Sequence, residues 1–116
     1  MLIGEHKQRN ISAELSEREK ERICDFIQGS VYCFCKNNPD EWFAARDLFG
    51  GVNYSWSATA LESLYDWHEN SGASEPVKSA GKDIGWLLLR VLSEDKRIFE
   101  KRKGYMTNEY KWVVEK

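Results

Sequence analysis

The sequence predicts a small, mainly α (α+β) domain in which four helices precede a C-terminal β-hairpin. Two observations lead to this prediction. Apolar side chains recur at helical spacing through two long segments, which is typical of helices that bury one face. Near the C-terminus the pattern changes to alternation, with Tyr110, Trp112 and Val114 separated by polar residues. Such period-two patterning is typical of a strand with one buried face.

Composition limits the class of protein. With 116 residues, 41% of them hydrophobic, the chain is long enough to fold as one domain around its own core. No apolar run approaches the roughly 20 residues that cross a bilayer, and the N-terminus lacks the apolar segment of a secretory signal. The three cysteines favour reduced thiols. We therefore expect a cytoplasmic protein with no membrane partner.

The net charge of −2 conceals an uneven distribution. Residues 1–77 carry 7 lysines and arginines against 13 aspartates and glutamates, whereas residues 78–116 carry 10 against 6. Affinity for nucleic acid depends on local positive potential, so the C-terminal part is the candidate for a DNA-facing surface. The alternative is a solvated, lysine-rich hairpin whose charges prevent edge-to-edge aggregation.

The first helix begins after a polar segment. Residues 1–15 show no periodicity and are predicted to form a flexible arm, which leaves 16–116 as a single domain. Ser16 and Glu19 have the spacing of a capping box, in which each side chain satisfies a free backbone N–H group. The apolar stripe that follows consists of Ile23, Phe26, Ile27, Val31 and Phe34. Pro39 ends the helix because it lacks a backbone donor.

Three shorter elements are predicted in the middle of the chain. Residues 42–44 form a short strand, and residues 45–51 form a short helix closed by two glycines. Ser57 is the expected N-cap of a third helix over 58–69. The side chains on one face of this helix are Leu61, Leu64, Tyr65 and His68.

The fourth helix and the hairpin complete the predicted domain. The helix is expected to run from near Ser79 to near Asp95, after a loop over 70–76. Its inner stripe consists of Ile84, Leu87, Leu88, Val91 and Leu92. Residues 97–114 then form the hairpin, with Gly104 as the pivot of its turn.

This order of elements resembles the winged helix-turn-helix superfamily over about residues 16–114. The matching parts are 42–44 as the first strand, 45–51 as the second helix, 78–94 as the recognition helix and 97–114 as the wing. The W-F-A-A-R-D-L-F-G-G segment and the wing are also similar to winged-helix modules of phage replication and mobile-element proteins. The resemblance implies a winged helix-like fold and a non-enzymatic DNA-binding function in transcription regulation or replication.

The chain departs from the minimal winged helix by one additional helix. The helix over 58–69 lies between the second helix and the recognition helix, which leaves open whether it or 79–94 reads the DNA groove. Gly85 lies in the middle of the latter helix, where glycine costs about 1 kcal/mol relative to alanine. We expect it to allow the close packing of a crossing helix rather than the close approach of a DNA backbone.

The outer face of the fourth helix and the wing carry the candidate contacts to double-stranded DNA. Lysine and arginine bind phosphates, and arginine also offers two parallel donors to guanine. The candidate DNA-binding residues are Lys78, Lys82, Trp86 and Arg90 on the helix and Lys101, Arg102, Lys103 and Tyr105 on the wing. Trp86 and Leu89 are unusual on a groove-reading face, so they contact DNA, pack inside the domain or face a partner. A homodimer or a larger assembly is the expected binding unit.

A protein-binding adaptor on the same scaffold is the alternative function. Its candidate anchors are Tyr54, Trp56, Trp86 and Leu89. Trp56 is predicted to be the most exposed of the five tryptophans because it lies in a loop, and exposed tryptophans are frequent anchors of protein interfaces.

No residue pattern indicates catalysis, a metal or a cofactor. The nucleophile-elbow, phosphate-loop, zinc-protease and dinucleotide-binding motifs are absent from the sequence. Cys33 and Cys35 are two residues apart on a helix, about 200° around its axis, so they do not bind one ion together. With Cys24, His6 and His68 there is still no zinc-ligand spacing. We therefore expect no enzyme activity and no catalytic, metal or cofactor site.

Overall fold

A computed structural model describes residues 1–50 and 55–113. They form a small α+β domain of four helices and a two-stranded antiparallel hairpin, which confirms the predicted fold class at this level. The elements in chain order are α1 (Glu17–Asn37), α2 (Ala45–Phe49), α3 (Glu62–Asn70), α4 (Pro76–Glu94), β1 (Phe99–Lys103) and β2 (Asn108–Trp112). Gly51, Tyr54 and Val114, for which the sequence made predictions, lie outside the described residues.

Helix α1 forms as its sequence predicts. The Ser16 hydroxyl accepts from the Glu19 backbone N–H group at 3.1 Å, and the Glu19 carboxylate accepts in return from the Ser16 N–H group. This capping box satisfies donors that the first turn of a helix leaves free. The buried side chains of α1 are Ile23, Ile27, Val31 and Cys35. Phe26 lies at the edge of this stripe and is 36% exposed.

The hairpin is tied to the region between α1 and α2. The Phe43 N–H group donates to the Tyr110 carbonyl at 2.8 Å, and the Tyr110 N–H group donates to the Phe43 carbonyl at 2.7 Å. The predicted first strand is thus reduced to one bridge residue, Phe43, which pairs with the middle of β2. Both side chains are buried, so this bridge joins the hairpin to the hydrophobic core.

Glycine is required at the hairpin turn. The Gly104 N–H group donates to the Thr107 carbonyl at 2.9 Å. A Cβ atom at Gly104 would lie 2.5 Å from that carbonyl oxygen and 2.8 Å from the Glu109 side chain. The turn therefore leaves no room for a side chain at this position, as predicted for the pivot.

Helix α3 begins later than the sequence predicts, and Trp56 explains the difference. The Trp56 indole is 8% exposed and donates to the Phe49 carbonyl at 2.9 Å. Residues 57–61, which follow this buried ring, form turns rather than a helix. Ala58 has φ +63°, which is incompatible with an α-helix. Ser57 therefore does not cap the helix, which starts at Glu62. The prediction that Trp56 is exposed was wrong.

Helix α4 is the central element of the core. It starts at Pro76, three residues before the predicted Ser79, because proline is well suited to the first turn of a helix. All five side chains of its predicted inner stripe are buried, and Leu89 is buried beside them at 4% exposure. No helix among residues 1–50 and 55–113 is long and apolar enough to cross a membrane.

The N-terminal residues contact the domain at two places, whereas the sequence predicted a flexible arm over 1–15. Near the start, Leu2 is buried and forms a parallel bridge with Phe99 of β1. Near the end of the segment, Ala13 is buried and its backbone N–H group donates to the Asp83 carboxylate at 3.1 Å. These contacts involve partners far along the chain, which no local pattern in the segment reveals.

Candidate functional site

A cleft of about 300 Å³ separates α4 from the loop end of the hairpin. We refer to it as the α4–hairpin cleft. Its lining residues are Ala45 of α2, Gly81, Lys82, Gly85, Trp86, Leu88 and Leu89 of α4, and Thr107, Asn108 and Tyr110 of the hairpin. Among the described residues, Lys82 is the only charged residue of this lining. The described lining thus combines a lysine, two aromatic rings and polar groups, with no carboxylate to repel an anion.

Two glycines leave the α4 backbone open to the cleft. Gly81 and Gly85 are one turn apart, and no described atom outside the neighbouring backbone lies within 4 Å of where a Cβ atom would be placed on either. The expectation that Gly85 allows a crossing helix to pack closely was therefore wrong. Each glycine costs about 1 kcal/mol relative to alanine inside a helix. No packing among the described residues offsets that cost.

The lysines of α4 point their charge towards solvent. Lys82 is exposed and forms no ion pair within the described part of the chain. The Lys78 ammonium lies 3.7 Å from the Glu75 carboxylate, but both side chains are more than half exposed. Such exposed pairs contribute little, because water and salt screen them. Both lysines therefore remain available to an anionic partner.

Arg90 is not part of the cleft. It is half-buried, and its guanidinium lies near the Cys24 thiol of α1. Burial raises the pKa of Cys24, and the positive charge of Arg90 opposes that rise. The predicted line of Lys82, Trp86 and Arg90 is thus divided: Lys82 and Trp86 border the cleft, whereas Arg90 lies towards α1.

The aromatic and aliphatic candidates on α4 differ in exposure. Trp86 is half-buried and lines the cleft, and the Arg9 guanidinium carbon lies 5.3 Å from its ring centroid. Leu89 belongs to the hydrophobic core. Of the three possibilities for Leu89, packing inside the domain is the one realised. Of Trp86 and Leu89, only the Trp86 side chain remains partly exposed on the outer face of α4.

The hairpin cations are divided between two faces of the ribbon. Side chains alternate along a strand, and directly opposed residues share a face. Lys101 is opposite Tyr110 and Lys103 is opposite Asn108, and both partners line the cleft. We conclude that Lys101 and Lys103 lie on the cleft side of the hairpin.

Arg102 lies on the other face and is already engaged. Its Nε atom donates to the Glu109 carboxylate at 2.8 Å, and its guanidinium carbon lies 4.2 Å from the Trp42 ring centroid. An ion pair and a cation–π contact together hold the side chain against the domain. The sequence analysis treated the three consecutive cations of the hairpin alike. The structure shows that they are not equivalent.

Among the residues that the structure describes, the tip of the hairpin carries the most exposed large apolar side chains. Tyr105 is 95% exposed and Met106 is 77% exposed. Tyr105 was predicted as a DNA contact, and its ring is accessible. Met106 was not singled out from the sequence, although its position in a turn after Gly104 indicates exposure.

The sequence analysis missed a buried hydrogen-bonded contact between a histidine of α3 and an aspartate of α4. The His68 Nε2 atom lies 2.7 Å from the Asp83 carboxylate, and both side chains are at least 93% buried. The signal was present: Asp83 lies one turn before Leu87 and one turn after Ala80, in the middle of the buried stripe. A charged residue on such a stripe requires a buried partner.

Among the described residues, neither the His68–Asp83 contact nor the cysteines form a ligand cluster. No group of three or more histidine, cysteine, aspartate or glutamate side chains in the described ranges is placed to hold a metal ion. Burial raises the pKa of the Cys35 thiol to about 11, so this buried side chain stays protonated at neutral pH.

Comparison with known proteins adds no further constraint. No protein-family model matches the chain, and neither the curated proteins nor the solved structures include a match. The functional interpretation therefore depends on the geometry and chemistry of the site.

Proposed function

We propose that this domain is a non-enzymatic DNA-binding module of winged helix-like architecture, acting in transcription regulation or replication. The observation that carries the proposal is the arrangement of lysines around the α4–hairpin cleft. Lys82 lines the cleft from α4, and Lys101 and Lys103 lie on the same face of the hairpin as its lining residues Tyr110 and Asn108. Because phosphate contacts supply most of the non-specific affinity for DNA, three such cations on the cleft side fit a polyanion, and none of the described lining residues is a carboxylate.

Two further features support this architecture. The Phe43 bridge adds a third backbone segment beside the hairpin, in the place where a winged helix has its first strand. Helix α4 immediately precedes the hairpin and shares the cleft with it, whereas α3 contributes no lining residue. We therefore assign groove reading to α4 and phosphate contacts to the hairpin. The additional helix α3 has a structural role, since it contributes Leu64 to the core.

The adaptor alternative has less support than the DNA-binding proposal. Two of its anchors, Trp56 and Leu89, are buried, and Trp86 is covered on one side by Arg9. An interface anchor must offer its side chain to the partner. Of the described anchors, only Trp86 retains part of its surface.

The proposal is tested by the salt dependence of duplex binding. We expect fluorescence anisotropy of a labelled random duplex to report micromolar affinity at about 50 mM salt and much weaker binding at about 200 mM salt. The double variant Lys101→Ala/Lys103→Ala should lower the slope of log affinity against log salt by about 2, because each lost phosphate contact contributes about 0.9.

Arg102→Ala is the matched control, since it removes the same charge from the opposite face of the same strand. We expect its salt slope to stay close to that of the unmodified protein. A control that lowers the slope by about 0.9, which is half the effect of the double variant, would show that binding follows total charge rather than the cleft. Absence of binding at about 50 mM salt would refute the proposal and direct the search to a protein partner through Trp86.

A further inference from the structure

The N-terminal segment is attached to the domain at two places, one just beyond the C-terminal end of α4 and one at Asp83 within the helix. At the C-terminal end of the helix, the Ile3 N–H group donates to the Phe99 carbonyl at 2.9 Å, and the Phe99 N–H group donates to the Met1 carbonyl at 2.8 Å. These bonds extend the edge of β1 by a short parallel segment. We call residues 1–13 the N-terminal strap.

The second attachment is the buried carboxylate of Asp83. It accepts from the Ser12 N–H group at 2.8 Å and from the Ala13 N–H group at 3.1 Å, in addition to its contact with His68. Asp83 is 1% exposed. Hydrogen bonds to a buried charged acceptor are among the stronger ones in proteins, so this end of the strap is firmly held.

Between these attachments the strap follows α4 in the opposite direction. It leaves the helix end near residue 95 and reaches Asp83, three turns earlier. Arg9 lies on this path with its guanidinium carbon 5.3 Å from the Trp86 ring centroid. Trp86 in turn lines the cleft one turn after Lys82. The strap therefore places an arginine against Trp86, at the border of the α4–hairpin cleft.

Arg9 has the properties of a free phosphate contact. Its side chain is exposed, and no described carboxylate forms an ion pair with it. The Trp86 ring restrains the guanidinium without neutralising its charge. Because the strap is already anchored, binding through Arg9 avoids most of the entropy cost of ordering a loose arm.

We infer that the N-terminal strap is a third DNA-contacting element, in which Arg9, placed by Asp83 and Trp86, binds a phosphate beside the one bound by Lys82. This inference rests on the proposed function and extends it to a part of the chain that the sequence did not suggest. The alternative arrangement is a strap that covers Trp86 and hinders binding.

The experiment is a salt titration of duplex binding by Arg9 variants, read by fluorescence anisotropy. We expect Arg9→Ala to weaken binding several-fold at low salt and to lower the salt slope by about 0.9. Arg9→Lys should retain the slope, because it retains the charge. Lys36→Ala is the control: Lys36 is an exposed cation that borders a different cavity, beside Trp112. Circular dichroism should show the same melting temperature for all three variants, since neither Arg9 nor Lys36 is buried.

Each outcome decides between arrangements. An unmodified protein with salt-dependent binding and an Arg9→Ala variant of unchanged slope would overturn the strap and leave the proposed function intact. Tighter binding by Arg9→Ala would show that the strap covers the site, which also overturns the inference. If the unmodified protein does not bind the duplex at all, both the proposed function and the strap are wrong.

Discussion

The two faces of α4 are built for different purposes. The inner face presents large aliphatic side chains, and Leu87, Leu88 and Leu92 are each at most 1% exposed. The outer face presents Gly81 and Gly85 to an open cleft, where an added Cβ atom would have no described atom beyond the neighbouring helix backbone within 4 Å. One face therefore maximises buried apolar area, and the other gives up helix stability to keep its backbone accessible.

Under the proposed function, one face of α4 supplies stability and the opposite face supplies binding. Substitutions on the inner face are expected to unfold the domain, because close-packed interiors do not tolerate cavities. Substitutions on the outer face are expected to preserve or increase stability while they change binding. The predictions below test this separation, beginning with the largest expected effect.

Removal of inner-face volume should have the largest effect. Leu87 is fully buried, and Leu87→Ala should lower the free energy of unfolding by about 2–5 kcal/mol. Urea denaturation followed by tryptophan fluorescence gives this value. A loss below about 1 kcal/mol would mean that the inner face is not tightly packed, which contradicts the comparison.

The buried carboxylate should be nearly as sensitive. Asp83→Asn leaves the Ser12 and Ala13 N–H groups and His68 with a poorer acceptor, so we expect a loss of about 1.5–3 kcal/mol in the same assay. Asp66→Asn, at an exposed position of α3, is the control and should change the free energy of unfolding by less than about 0.5 kcal/mol. Equal stability of the two variants would show that the hydrogen bonds from Ser12 and Ala13 to Asp83 do not anchor the strap.

The outer face should respond in the opposite direction. Gly85→Ala adds a methyl group to open space and a residue of higher helix propensity, so the free energy of unfolding should rise by about 1 kcal/mol. The increase is measured as a higher urea midpoint with an unchanged m-value. A lower midpoint would mean that Gly85 is packed against another part of the chain, which contradicts the open outer face.

The smallest expected effect concerns acid stability at the end of α4. Burial alone raises the pKa of Asp95, but the Tyr32 hydroxyl and the Arg97 N–H group donate to its carboxylate and bring the pKa below its ordinary value. A lowered pKa in the folded state means that stability is present above the unfolded-state pKa of about 4 and is lost as the pH falls through the folded value.

Asp95→Asn should therefore reduce the loss of stability between about pH 5 and pH 3. The measurement is the urea midpoint of both proteins across this range. If the two midpoints fall in parallel, then other carboxylates account for the acid sensitivity.

The elements that the sequence predicted well are those that side-chain polarity determines locally. The capping box of α1 and the inner stripe of α4 depend on residues a few positions apart, and the structure reproduces them. Of the predicted stripe of α1, Ile23, Ile27 and Val31 are buried, whereas Phe26 is exposed and Phe34 is half-buried. The start of α3 was wrong because the burial of Trp56 decides it, through a contact with Phe49 in another element. Tertiary contacts of this kind override local propensity.

The candidate site was predictable only in part for the same reason. Lys82 and Trp86 are i, i+4 neighbours on one helix, so their proximity follows from helix geometry. The separation of Arg102 from Lys101 and Lys103 depends on which face of the hairpin meets the domain. The approach of Arg9 to Trp86 joins residues 77 positions apart, which a single sequence does not reveal.

The central claim is that the outer face of α4 binds DNA independently of stability, and Gly85→Glu tests it most directly. Gly29→Glu is the matched control, because Gly29 lies in α1 with equally open space and the substitution changes helix propensity and charge in the same way. Both variants should have a urea midpoint at or above that of the unmodified protein. We predict that Gly85→Glu loses at least tenfold in duplex affinity at low salt, whereas Gly29→Glu loses little. Equal affinities of the two variants would contradict the account.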